Sequence, residues 1–92
     1  MLSNSPAPTA ASVGVASAEA VAVNTSRTGL ILVNTSSAWI SLAFGAAAVL
    51  YSGITLAPLG GTFVMDNDTF TTAQIRAIAS AAASNLAIQE FV

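Results

Sequence analysis

Short runs of apolar residues, separated by clusters of Asn, Thr, Ser, Gly and Pro, recur along most of the chain. Successive runs begin about eight to ten residues apart, a spacing typical of an all-β sandwich or barrel. We therefore predict a small β-sandwich or jelly-roll-like barrel with about seven or eight short strands. The clearest runs span 20–23, 29–33, 39–44, 48–51, 54–57 and 62–65.

Alternation within the runs predicts which side chains form the core. In the segment WISLAF, a period of two places Ile40, Leu42 and Phe44 on one face and Trp39 on the other. We expect the aliphatic face to be buried and Trp39 to point outward. In the run 29–33 both faces are apolar, which predicts a strand that is central in its sheet or covered on both sides.

The tetrapeptide Val-Asn-Thr-Ser occurs twice, at 23–26 and 33–36. Because Asn, Thr and Ser side chains bond to nearby backbone groups, each copy predicts a turn that ends a strand. Asn24, Asn34 and Asn67 also fit the N-glycosylation pattern. The chain has no cysteine, and its first residues do not resemble a signal peptide, so we interpret all three as turn residues.

The first part of the chain differs in composition from the rest. Residues 1–18 are rich in Ala, Ser and Pro and carry few large side chains. Such a segment buries too little apolar surface to fold alone, and Pro6 and Pro8 favour an extended path. We predict an extended N-terminal arm over 1–18 and a β-domain over 19–92.

The segment 71–83 fits two structures. A possible capping box at Thr71 and Gln74 and an apolar helical face would make it a helix. Period-two alternation from Ile75 would instead make it a strand that turns near 82–85 and returns as LAIQEFV. We favour the strand, paired with the last segment as a hairpin that covers a sheet edge.

Charged residues are scarce, and their scarcity excludes several functions. The chain has two arginines, four acidic residues, no lysine and no histidine, and 7% of its residues are charged. Two cations are too few for binding to phosphates, so we expect no nucleic-acid partner. Soluble monomers usually carry about 25% charged residues. So little charge gives weak protection against association, which predicts a homo-oligomer within a larger assembly.

The acidic residues are the main candidates for chemistry. Asp66-Asn67-Asp68 resembles the start of a calcium loop, but the later glycine and the closing glutamate are absent. We interpret it as an acidic turn in which Asp66 or Asp68 could pair with Arg27 or Arg76. Without a catalytic constellation, we predict no enzyme activity, no metal and no cofactor.

A membrane-inserting coat protein is one alternative. No ionisable charge at neutral pH occurs between Thr28 and Met65, but the most apolar window, 38–55, is interrupted by Ser41, Gly45, Ser52 and Gly53. No basic cluster flanks this window to set an orientation. A membrane-inserting protein would be mainly helical, and we expect no membrane partner.

The segment NTSRTGLILVNTSSAWISLAFGAAAVLYSGITLAPLGGTFVMD, residues 24–66, resembles small virion proteins of tailed bacteriophages. The shared features are an Arg-led strand, an Asn-Ser turn, an Ile-x-Leu-x-Phe-Gly strand and Ser-Gly-Ile-x-Leu-x-Pro-x-Gly-Gly. The resemblance covers about half of the chain and carries no catalytic residues. It implies a capsid decoration or cement protein, or else a tail, fibre-attachment or head–tail connection module.

Together with the scarcity of charge, this resemblance implies a structural protein of the virion that cements or decorates the capsid surface. Its expected partners are the major capsid protein and copies of itself. Trp39 and Tyr51 are the lone indole and the lone phenol of the chain, and aromatic side chains are enriched at interfaces. The candidate interface residues are these two together with Leu2, Pro6 and Pro8 of the arm.

Overall fold

The computed structural model describes residues 7–92, which form eight strands and no helix. The prediction of an all-β fold with about seven or eight short strands is confirmed. The strands are β1 Thr9–Val13, β2 Ala18–Val21, β3 Gly29–Asn34, β4 Ile40–Phe44, β5 Ile54–Leu56, β6 Gly61–Val64, β7 Ile75–Ala79 and β8 Ser84–Phe91.

The strands form two antiparallel sheets that pack face to face as a small β-sandwich. Sheet A has the order β1-β8-β3-β6, and sheet B has the order β2-β7-β4-β5. Strand β3 is central in sheet A, as its two apolar faces predicted. The edge strands β1 and β2 lie on one side of the sandwich, and β5 and β6 lie on the other.

The core lies between the sheets and follows the alternation in the sequence. On β4, Ile40 and Leu42 are buried and Phe44 is half-buried, while Trp39 is exposed, as predicted. Rings from the two sheets meet where Phe44 packs on Phe63, with centroids 5.5 Å apart. The buried cluster comprises Val13, Val21, Leu30, Leu32, Ile40, Leu42, Leu56, Phe63, Met65, Ile75, Ala77, Ala79, Leu86 and Ile88.

Most connections cross from one sheet to the other. Among the described strands, only β4 and β5 are both consecutive and paired. The predicted C-terminal hairpin is therefore wrong in its pairing, although both of its strands exist. Strand β7 lies between β2 and β4, whereas β8 lies between β1 and β3. The end of β7 is held by other partners, since Ala79 N–H donates to the Gly14 carbonyl and Ser80 N–H donates to the Trp39 carbonyl.

The β-domain begins earlier than predicted. Residues 9–13, which the predicted arm of 1–18 included, form β1, and all five of them pair with residues 84–88 of β8. Val13 is buried in the core cluster. Small side chains do not prevent this, because antiparallel pairing is made by backbone groups. Of the predicted arm, residues 1–6 lie outside the described residues.

The run 48–51 was predicted to be a strand, and this is wrong. It belongs to a loop over 45–53 that contains a turn, with Ser52 N–H donating to the Val49 carbonyl. Ala48 is buried and Val49 is exposed. Its apolar residues therefore serve to cover sheet B and to present side chains at the surface.

Both Val-Asn-Thr-Ser copies form the turns that the sequence predicted. Asn24 Oδ1 accepts from Ser26 N–H at 3.0 Å, and Asn34 Oδ1 accepts from Ser36 N–H at 3.0 Å. The turn between β5 and β6 bonds to the second copy, since Leu59 N–H donates to the Ser36 carbonyl and Gly60 N–H donates to the Asn34 carbonyl. A Cβ on Gly61 would lie within 2.3 Å of the Ala57 backbone nitrogen, so this position requires glycine.

The arginines have partners other than the predicted ones. Arg27 is 2% exposed, and its Nε donates to Glu90 Oε2 at 2.7 Å. Its Nη1 and Nη2 groups donate to the carbonyls of Ala22, Thr71 and Ala73. The expectation of pairing with Asp66 or Asp68 was wrong, because burial of Arg27 inside the end of the sandwich placed it beside strand β8 instead.

Candidate functional site

The structure separates the predicted interface residues. Trp39 and Tyr51 lie together on the outer side of sheet B. Pro8 is exposed and lines a groove on the outer face of sheet A, on the opposite side of the sandwich. Leu2 and Pro6 lie outside the described residues. The predicted set therefore belongs to at least two surfaces and does not form one patch.

The rings of Trp39 and Tyr51 form an edge-to-face pair with centroids 6.4 Å apart and planes inclined at 71°. The two side chains remain 43% and 62% exposed. Aromatic pairs of this geometry gain about 0.5–1.5 kcal/mol beyond the area they bury. The pair therefore holds two large side chains in a defined arrangement, while nearly half of the Trp39 surface and more than half of the Tyr51 surface stay available to a partner.

Trp39 is positioned by strand β7. The backbone N–H of Trp39 donates to Ser80 Oγ at 3.0 Å, and the backbone carbonyl of Trp39 accepts from Ser80 N–H at 3.0 Å. These bonds extend the β4–β7 pairing by one residue beyond Ile40. Because Ile40 faces the core, alternation turns the indole of Trp39 away from it.

Tyr51 is positioned by a hydroxyl of sheet B. Ser41 is fully buried under the loop 45–53, and its Oγ accepts from Tyr51 N–H at 2.8 Å. Ser41 Oγ also bonds to Thr55 Oγ1 at 2.9 Å. Tyr51 has a φ of 64°, a left-handed conformation that costs a residue with a Cβ about 1–2 kcal/mol. Such a conformation persists where surrounding contacts hold it, and it frequently marks a functional segment.

The other part of the loop is tied to the β1–β2 connection. Ala48 N–H donates to Ser17 Oγ at 2.9 Å. Arg76 donates from Nε to Ser17 Oγ and from Nη2 to the Ser17 carbonyl. Loop 45–53 is thus held at Ser17 and at Ser41, which fixes where Tyr51 presents its ring.

The acidic segment forms a local turn, as predicted. Asp66 Oδ1 accepts from the N–H groups of Asp68 and Thr69 and from the Thr69 hydroxyl. These hydrogen bonds, that from Asp68 above all, hold the pKa of Asp66 below its ordinary value. Within residues 7–92, acidic side chains do not gather in a group of three that could hold a metal ion.

Sequence reasoning missed a second exposed apolar surface, on the outer face of sheet A. Ile31 and Val33 of β3 are half-buried there, and Val64 of the edge strand β6 is 57% exposed. The signal was present in the two apolar faces of the run 29–33. The sequence did not show that one of those faces is left without a covering layer among the described residues.

In the part of the chain that the structure describes, no helix is long and apolar enough to cross a lipid bilayer. Comparisons with protein-family models, with curated proteins and with solved structures found no match.

Proposed function

We propose that this chain is a structural protein of a bacteriophage virion that cements or decorates the capsid. In this proposal the Trp39–Tyr51 pair contacts the major capsid protein. The function is one of attachment, and the β-sandwich serves as a rigid support for the aromatic surface.

The observation that carries the proposal is the way in which the two aromatic side chains are presented. Trp and Tyr are enriched among the residues that dominate binding energy at protein interfaces. Here they contact each other, remain substantially exposed and are held by Ser80 and Ser41. A surface ordered before binding loses less conformational entropy when the partner arrives.

The charge distribution also supports attachment to a protein surface. Arg27 is buried, and Arg76 is engaged with Ser17.

The resemblance of residues 24–66 to virion proteins supplies the choice of partner. Turn and strand residues carry that resemblance, so it concerns the support rather than the contact.

The test begins with particles of the virus that encodes this chain. We expect a copy number in purified particles near that of the major capsid protein, or a simple fraction of it, by quantitative mass spectrometry. A handful of copies would move the protein to the tail or to the head–tail connection. Its absence from particles would refute the proposed virion function.

Variants then test the surface itself. Tyr51→Gly removes the ring while suiting the left-handed backbone at this position, so the fold is expected to survive. If Tyr51 is a dominant contact, its loss weakens binding to empty shells by about 2 kcal/mol or more, roughly 30-fold. Phe70→Ser, at an exposed aromatic residue of the 65–74 connection, is the matched control. Equal binding by the Tyr51 and Phe70 variants would exclude the Trp39–Tyr51 surface as the contact.

A further inference from the structure

We propose that the outer face of sheet A is the contact between two copies of this chain. The face is formed by the outward side chains of β1, β8, β3 and β6. It lies opposite the Trp39–Tyr51 pair, so a copy could use both surfaces at once. The inference goes beyond the proposed attachment function and does not depend on it.

The first argument is the absence of charge from this face. The outward positions of its four strands carry Ala, Ser, Gly, Ile, Val, Thr, Asn, Gln and Phe, and none of these ionises. In a two-fold dimer the same face of each copy contacts the other copy. A charged side chain on that face could therefore lie close to the identical charge of the partner. The outer side of sheet B differs, since it carries Glu19 and Arg76 in register on β2 and β7. The uncharged face is therefore the one compatible with self-pairing.

The second argument is the shape of the face, which has a groove over one half and a projecting side chain at the opposite edge. Small residues lie over its β1–β8 half, where Ala10 is paired with Ala87. A groove of about 150 Å³ runs there, and its lining includes Pro8, Ile31, Val33 and Ala87. At the opposite edge, Val64 projects from β6 and is 57% exposed. A two-fold rotation would place the Val64 edge of each copy over the groove of the other, which fills both grooves with apolar side chains.

The size of the face sets the expected strength. Four strands about 4.8 Å apart and about five residues long give a face of roughly 19 by 17 Å. Two such faces would bury on the order of 650 Å², which is less than the roughly 1,200 Å² of a stable standard interface. We therefore expect a weak dimer, with a dissociation constant between about 10 µM and 1 mM, that forms where copies are concentrated.

The test is sedimentation equilibrium of the full chain from 10 µM to 1 mM. We expect the wild-type protein to dimerise across this range. Val64→Asp places a carboxylate on the ridge of both copies and is expected to raise the dissociation constant at least 10-fold. Val49→Asp is the matched control, because Val49 is similarly exposed (61%) but lies on the loop covering sheet B. Unchanged thermal unfolding of both variants would show that the fold is intact.

Other results would overturn the proposal. A wild-type chain that stays monomeric at 1 mM removes the dimer. Association that survives Val64→Asp but is lost in Val49→Asp moves the contact to the loop 45–53. Association that survives Val64→Asp but is lost in Leu2→Asp assigns the groove to the first residues of the chain. Each of these outcomes is independent of whether the protein is found in virus particles.

Discussion

The two Val-Asn-Thr-Ser copies have the same sequence and the same local turn, but they differ in burial and in their bonds to the rest of the fold. In each copy the Asn side chain accepts a hydrogen bond from the N–H of the Ser two residues later, at 3.0 Å. Asn24 is half-buried, and its copy lies in the loop after β2. Asn34 is fully buried as the last residue of β3.

The second copy acts through the Asn side chain itself. Asn34 Nδ2 donates to the carbonyls of Ala38, Leu56 and Ala57 at 2.7, 3.1 and 3.1 Å. It therefore ties the end of β3 to the start of β4 and to the turn between β5 and β6. Asn34 faces inward because it shares a face of β3 with Leu30 and Leu32.

The first copy acts through the residue that follows it. Arg27 comes directly after Ser26, and its N–H donates to the Asn24 carbonyl at 3.2 Å. The Arg27 guanidinium then joins β8 and the connection before β7 through Glu90, Thr71 and Ala73. The second copy thus supplies a neutral cross-link, through Asn34, between β3, the start of β4 and the β5–β6 turn. The first copy is followed by a charged cross-link, through Arg27, between its own loop, β8 and the connection before β7. Identical local sequence predicts a turn but not the cross-link that accompanies it.

The largest expected effect is that of removing the charged cross-link. Arg27→Met leaves Glu90 without its ion-pair partner and removes the guanidinium donor from the carbonyls of Ala22, Thr71 and Ala73. The Arg27 side chain is buried and that of Glu90 is 23% exposed, so losing the pair and these bonds should cost about 3 kcal/mol or more, a large part of the stability of a small domain. Denaturant unfolding should show a strongly lowered midpoint or an unfolded chain. Arg76→Met is the control and should cost about 1 kcal/mol or less, because Arg76 is half-buried and its guanidinium donates to Ser17. Equal losses would contradict the ranking.

The next effect compares the two asparagines directly. Asn34→Ala leaves the buried carbonyls of Ala38 and Leu56, and the more exposed carbonyl of Ala57, without this donor and should cost about 2–4 kcal/mol. Asn24→Ala removes one turn hydrogen bond at a half-buried position and should cost about 0.5–1 kcal/mol. The measurement is the free energy of unfolding of each variant in urea. If both variants lose the same free energy of unfolding, the burial of Asn34 and its additional bonds do not contribute to stability, which would contradict the structural argument.

The smallest effect concerns a turn that makes only local bonds. The pKa of Asp66 is lowered in the folded state, so its stabilising contribution is present above the unfolded-state pKa and is lost as pH falls through the lower folded-state value. Asn keeps an acceptor oxygen but not the charge, so Asp66→Asn should slightly lower stability at pH 7 and should reduce the loss of stability below about pH 4. Urea unfolding at several pH values from 7 to 2.5 measures this. An acid dependence identical to that of the wild type would show that the turn does not contribute.

Local patterns predicted more of the fold than of the candidate site. Alternation correctly placed Ile40 and Leu42 in the core and Trp39 outside it. It failed at 48–51, since a short apolar run has no internal signal that separates a strand from a covering loop. The contact between Trp39 and Tyr51 could not be predicted, because it depends on the bond from Tyr51 N–H to Ser41 Oγ across the loop.

The sequence by itself determined the fold class, the strand faces and the turns, because these depend on residues within a few positions of one another. Only the tertiary structure decided which strands pair, where Arg27 and Asn34 find their partners and which apolar faces remain open. Strand β7 is followed after four residues by β8, yet the two lie in different sheets. Backbone pairing accepts almost any partner strand, so the choice depends on burying all the inward faces together, and no short segment records that condition.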